Sequence, residues 1–187
     1  ASGDGIPVIT FESYRSNPSL NTGGSGEAVL VWSDDRNSDE DLYAQRISVS
    51  GSTIVTEWVS GGVLVSNANG DQTSPRVSNF SGDNTIIVWE DARNGYTDAY
   101  YQILDGNGSS ILSDNGVSAC QGEWEVIKPR VKGDNGVAYV VWEDRRNGFT
   151  SDIYAQKISS NGVAEWDNGF AISIADGGQA QPRLTSD

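Results

Sequence analysis

The chain has 187 residues, with 26 acidic and 12 basic side chains, no histidine and a formal net charge of −14. Such a surface repels nucleic acid and anionic membranes, and no run approaches the roughly 18–20 apolar residues of a membrane span. The missing histidine removes Ser-His-Asp and Cys-His arrangements and the usual zinc sites, and a lone Cys120 removes an internal disulfide.

Residues 1–17 read as a leading outer strand, Ile6-Pro-Val-Ile-Thr10, and a linker. The opening Ala-Ser-Gly-Asp-Gly fits a mature secreted protein and equally a trimmed chain. From Pro18 the sequence repeats. Residues 18–74 carry Pro18-Ser-Leu20, an apolar run ending in Trp32, a polar loop with Asp34, Arg36 and Asn37, then Asp41-Leu-Tyr43-Ala-Gln45 and Val63-Leu-Val65. Residues 75–128 repeat this as Pro75-Arg-Val77, Trp89, Asp91, Arg93, Asn94, Asp98-Ala-Tyr100-Tyr-Gln102 and Val117-Ser-Ala119. Residues 129–181 do so again with Pro129-Arg-Val131, Trp142, Asp144, Arg146, Asn147, Asp152-Ile-Tyr154-Ala-Gln156 and Phe170-Ala-Ile172. Residues 182–187 open a further repeat with Pro182-Arg-Leu184.

The prolines are 57, 54 and 53 residues apart, a length that holds four short strands and their turns, one propeller blade. Each proline is predicted to open the first strand, where its missing N–H is tolerated. The second strand, Thr85-Ile-Ile-Val-Trp89 in the middle repeat, is apolar on both faces, which calls for a sheet stacked between two others. Asn-Gly occurs eight times, beginning at residues 69, 94, 107, 115, 135, 147, 161 and 168, and predicts type I′ hairpin turns. The expected fold is all-β, with tandem four-stranded antiparallel blades and little or no helix. Three blades are too few to close a ring. The chain is then a piece of a longer one, a subunit that self-associates through its open edges, or one unit of an open array.

Three site readings follow. In the recurrent loop the first aspartate accepts backbone N–H groups and the arginine pairs with a carboxylate. The competing reading is Ca²⁺ bound by hard oxygen ligands among Asp34, Asp39, Asp41, Asp91, Asp98, Asp144 and Asp152, against which the nearby arginines count. The third is a glycan site, with Tyr96 and Phe149 stacking on sugars beside Arg93 and Arg146, and with Trp124 as an exposed platform in an inter-blade loop. Trp58 and Trp166 share their place with Leu112 and read as core. Cys120 reads as a buried thiol, and Asn79-Phe-Ser81 and Asn107-Gly-Ser109 fit the weak glycosylation sequon.

The repeated Val-Trp-x-Asp-x-Arg-Asn-Gly followed by Asp-x-Tyr-Ala-Gln resembles propeller-type repeats of large secreted and surface-anchored bacterial proteins, from about Pro18 to Leu184. The resemblance implies the fold and an extracellular or cell-surface location, and brings no catalytic residues. The Ser-x-Asp-x-Gly-x-x-Trp box of sialidase-like propellers is absent. The leading expectation is a non-catalytic extracellular structural or adhesive protein that is not an enzyme. The alternatives are a lectin-like glycan-binding propeller and, behind it, a fragment of a secreted glycoside hydrolase.

Overall fold

The computed structural model describes residues 7–10, 12–23 and 26–185, which form strands and turns without a helix. Among the described residues, thirteen strands build three antiparallel sheets. The first contains β1 (Arg15–Thr22), β2 (Glu27–Asp34), β3 (Asp41–Ser50), β4 (Thr53–Thr56) and β5 (Val63–Ser66), with both β4 and β5 pairing β3. The second runs β6 (Gln72–Ser81), β7 (Asn84–Asp91), β8 (Asp98–Leu104) and β9 (Val117–Ser118). The third runs β10 (Val126–Asp134), β11 (Val137–Asp144), β12 (Asp152–Ile158) and β13 (Phe170–Ser173). The first strands β1, β6 and β10 pack in succession against one another. This is a β-propeller-like stack of blades around a common axis.

Two apolar cores lie between the sheets. Val29, Val31, Leu42, Ala44 and Val65 of the first meet Val77, Ile87, Trp89 and Leu104 of the second. The other face of the second sheet, with Ile86, Val88, Ala99, Tyr101, Ile103 and Ala119, meets Ala138, Val140, Trp142, Tyr154 and Ile158 of the third. Successive side chains of β7 thus enter different cores, which is why Ile86, Ile87, Val88 and Trp89 are all fully buried. Each such aliphatic side chain contributes about 2 kcal/mol, and none has a wet face on which to spend a polar residue.

Local details differ from the sequence reading. The first strands begin at Arg15, Gln72 and Val126, ahead of their prolines. Each proline sits on a β-bulge, where the register shifts between Ser16 and Ser19, Thr73 and Arg76, and Ile127 and Arg130. The residue before each proline has positive φ: Asn17 at 50°, Ser74 at 54°, Lys128 at 53° and Gln181 at 57°. A bulge leaves one residue outside the ladder, so a proline there sacrifices no hydrogen bond.

Of the Asn-Gly pairs, Asn115-Gly116, Asn135-Gly136 and Asn168-Gly169 have both residues at positive φ, and Asn135-Gly136 joins β10 to β11 directly. Elsewhere the glycine alone is left-handed, closing loops such as Ala92 to Gly95 and Arg145 to Gly148. Residues 7–10 and 181–185 are not strands, since no partner ladder pairs with them among the described residues. Ile6 of the expected leading strand and the last two residues lie outside the described residues.

Candidate functional site

Trp32 and Asp34 are two apart on β2 and share a face, so the indole N–H donates to Asp34 Oδ2 at 3.1 Å. The same bond recurs from Trp89 to Asp91 at 2.7 Å and from Trp142 to Asp144 at 2.8 Å. Each carboxylate also accepts the backbone N–H and the two-pronged guanidinium of the arginine two residues on: Arg36, Arg93 and Arg146. These guanidinium planes lie 3.7, 3.9 and 3.8 Å from the ring centres of Tyr43, Tyr100 and Tyr154. They also donate to the carbonyls of Gly61, Asn115 and Asn168. Burial pushes the Asp34 carboxyl up, but hydrogen bonds from Arg36 and Trp32 outweigh it and hold it well below the usual carboxylate range. The loop is a clamp that fastens the outer end of each second strand to the third and fourth.

The clamp occupies several residues singled out above. Arg93 and Arg146 are tied to Asp91 and Asp144 and stacked on tyrosines, so neither is presented to a ligand. The oxygens of Asp34, Asp91 and Asp144 already serve arginine and tryptophan. Asp41 and Asp152 accept side-chain bonds from Asn37 at 2.9 Å and Asn147 at 2.8 Å. Asp98 is buried, and Asp39 stands exposed at a loop tip. Among the described residues no group of three or more His, Cys, Asp or Glu side chains could hold a metal ion. Trp124 is half-buried rather than exposed: its indole donates to Asp144 at 3.2 Å and Arg146 lies over its ring. Cys120 is a buried free thiol, pushed up to about 12 by burial and by Asp98 and Asp144. Phe149 is fully exposed and Tyr96 half-buried, each in the loop between the second and third strands of its sheet.

Those loops share an end of the stack with the proline bulges, because Gln72 pairs with Asp91 and Val126 with Asp144. Here the inner strands carry Arg76, Arg130 and, beyond β13, Arg183. Arg130 is held down by burial and by the like charges of Arg76 and Arg183, with Glu90 and Glu143 acting the other way. The two glutamates follow Trp89 and Trp142 and reach the next bulge. Glu90 Oε1 accepts the Lys128 backbone N–H at 2.6 Å, and Glu143 Oε1 accepts that of Gln181 at 2.8 Å as well as Lys128 Nζ at 3.0 Å. In the first sheet Ser33 stands in this place, with its buried hydroxyl lacking a partner. The sequence reading used the Pro-Arg element for its proline alone. The recurring arginine beside it was the available signal for this axial row.

At the opposite end, a polar cleft of about 460 Å³ lies between the first and second sheets, lined by Glu27, Arg46, Asn79 and Asp83 among others. Arg46 closes it by pairing with Glu27 and donating to the Gly106 carbonyl at 3.2 Å.

No protein-family model matches the chain, and no curated protein matches it. Among solved structures, the chain is similar to the GH43_1 enzyme from Xanthomonas citri complexed with xylose, with a TM-score of 0.60 and 14% identity over 89% of this chain and 57% of that one. The same enzyme complexed with xylotriose gives the same values. The catalytic domain of the Coprinopsis cinerea GH62 α-L-arabinofuranosidase aligns at a TM-score of 0.47 and 12% identity, over 92% of this chain and 56% of that one. The chain spans less than two thirds of these structures. At such identities the likeness shows the fold, which is that of propeller-type glycoside hydrolases. It corrects the leading functional expectation of a structural or adhesive protein, because the solved structure that shares this fold is that of an enzyme complexed with xylose. The expectation that the chain is not an enzyme is corrected with it: the fold is one that an enzyme has.

Proposed function

We propose that this chain supplies three blades of an extracellular glycoside hydrolase of propeller type, whose sugar site lies on the axis at the end where the proline bulges meet. The observation that carries the reading is the fold shared with an enzyme crystallised with xylose and with xylotriose. Hydrolysis of a glycoside uses two carboxyl groups across the scissile bond, and a ring of blades brings carboxylates from different strands to one place. In this reading further blades cover the outer face of the third sheet, where Tyr139, Phe170 and Ile172 are exposed. Tyr96 and Phe149 stand on the rim of the same end, where an aromatic face stacks on a sugar ring.

A second reading, a glycan-binding module without hydrolysis, is favoured by one observation. Glu40, Asp71, Glu90 and Glu143 at this end each accept a hydrogen bond from the protein itself. Incubation with xylotriose separates the two. Release of xylose supports the hydrolase; binding without release moves the assignment to the glycan-binding module. Neither binding nor cleavage of xylotriose or of an acidic trisaccharide overturns both.

A further inference from the structure

Nine arginines and three lysines serve a chain of net charge −14. Among the described residues, ion pairs hold Arg15, Arg36, Arg46, Arg93, Arg145, Arg146, Lys128 and Lys157. The arginines outside that set are Arg76, Arg130 and Arg183, the three that follow the repeated prolines. In a protein with so many carboxylates to spare, these three neighbouring guanidinium groups have no acidic partner within ion-pair distance among the described residues.

Their placement follows from register. Arg76 is opposite Val88 on β7, and Arg130 opposite Val141 on β11. Cross-strand partners share a face, and Val88 belongs to the core between the second and third sheets. Arg76 therefore projects into the gap toward the third sheet, beside the axis, and Arg130 into the gap beyond it. Both gap walls around Arg76 are present, and still no carboxylate of the described residues pairs with it; its Nη1 donates to its own Pro75 carbonyl at 2.6 Å. Arg130 makes the same bond to Pro129 O, and its buried Nε has no partner. Folding back onto the preceding carbonyl holds each guanidinium in place with donors left over. Burial and the like charges of Arg76 and Arg183 hold the Arg130 guanidinium below its ordinary value, with Glu90 and Glu143 acting against them, and a bound anion relieves both causes.

We infer that the axial row Arg76, Arg130 and Arg183 is a binding site for sugar carboxylates, so that the glycan taken by this propeller is acidic, with uronic acid residues. The inference rests on the carbohydrate reading above. A planar carboxylate matches the guanidinium fork, and one arginine per blade gap suits a chain with carboxylates at intervals. The acidic surface elsewhere repels such a chain and leaves the axial row as its point of entry.

The test is calorimetric titration of the protein with trigalacturonate, with neutral xylotriose and with inorganic sulfate, at low and at moderate salt. Trigalacturonate is expected to bind about tenfold or more tightly than either, to weaken with salt, and to lose that advantage in Arg76→Gln. Arg76→Lys, which keeps the charge and the fold while losing the fork, is expected to lose most of it too. Lys132→Gln should leave it intact. Xylotriose binding as well as trigalacturonate overturns the acidic-glycan inference while leaving the carbohydrate reading standing. Sulfate binding as well as trigalacturonate overturns it in favour of a general anion site. Binding of none of the three overturns the inference and the carbohydrate reading together.

Discussion

Ala119, directly after β9, and Ile172 of β13 hold equivalent positions in successive sheets, yet Ala119 is 1% exposed and Ile172 57%. The register makes them equivalent, since Tyr100 pairs with Ser118 and Tyr154 with Ala171, one residue before each. The difference is what lies outside: the third sheet covers Ala119, and among the described residues no sheet covers Ile172. Ile172→Asp should leave the stability of this chain unchanged to within about 0.5 kcal/mol. Ala119→Asp, which buries an unpaired charge, should cost about 3 kcal/mol or more. Thermal denaturation of the two variants checks the pair, and equal losses would sink the assignment of that face to a further blade.

The tryptophan-aspartate-arginine clamp contributes to stability through a buried carboxylate. Asp91→Asn removes the carboxylate from the Arg93 guanidinium and weakens the acceptor of the Trp89 indole. With Asp91 buried, the loss should be about 3 kcal/mol in urea denaturation. Asp39→Asn, at an exposed tip, should be near neutral. A clamp variant as stable as the parent would mean that these bonds contribute nothing net.

Glycine is required at Gly116 for two reasons at once. Its φ is +74°, and a Cβ there would stand 2.4 Å from Trp89 Cη2 and 2.6 Å from the Tyr101 carbonyl oxygen. At Gly95 φ is +84° but nothing lies within 4 Å of a built Cβ. Gly95→Ala should therefore cost about 1–2 kcal/mol from backbone conformation alone. Gly116→Ala should cost about 1–3 kcal/mol more, as Trp89 is forced out of place. Chemical denaturation of both variants separates the conformational term from the steric one.

The pH dependence has a definite sign. Burial, with Asp91 and Asp144 nearby, pushes the Asp98 carboxyl up from 3.8 to about 6. A folded value above the unfolded one favours folding fully below about pH 4, and that contribution is lost as pH rises through about 6. Asp98→Asn should then match the parent near pH 4 and exceed it at neutrality by up to about 3 kcal/mol. Asp34 is shifted the other way, so its share of stability is present above 3.8 and lost only as pH falls through its lowered folded value. Stability curves from pH 4 to pH 8 decide the matter, and a variant with no advantage at pH 8 would contradict the assignment to Asp98.

Much of this architecture was legible in the residues because its causes are local or periodic. Trp89, Asp91 and Arg93 are two residues apart on one strand and its turn, so their contact follows from strand alternation and a tight loop. The doubly apolar second strand is a direct imprint of two neighbouring sheets. The bulges were not legible, because Pro75 looks the same whether it opens a strand or interrupts one; the difference lies in which carbonyls its neighbours meet across the sheet.

The arginines divide along the same line. Sequence alone determined that Arg93 and Arg146 belong to a repeated acidic loop, and from this they were offered both as ion-paired and as ligand-facing. It determined equally that Arg76 and Arg130 follow a repeated proline, without showing that they approach each other. The stacking of the sheets is what spends the first pair inside its own blade and gathers the second pair beside the axis, without ion-pair partners among the described residues. Proximity along one strand is set by backbone geometry, whereas proximity between first strands some 54 residues apart arises only when whole sheets stack through the two apolar cores.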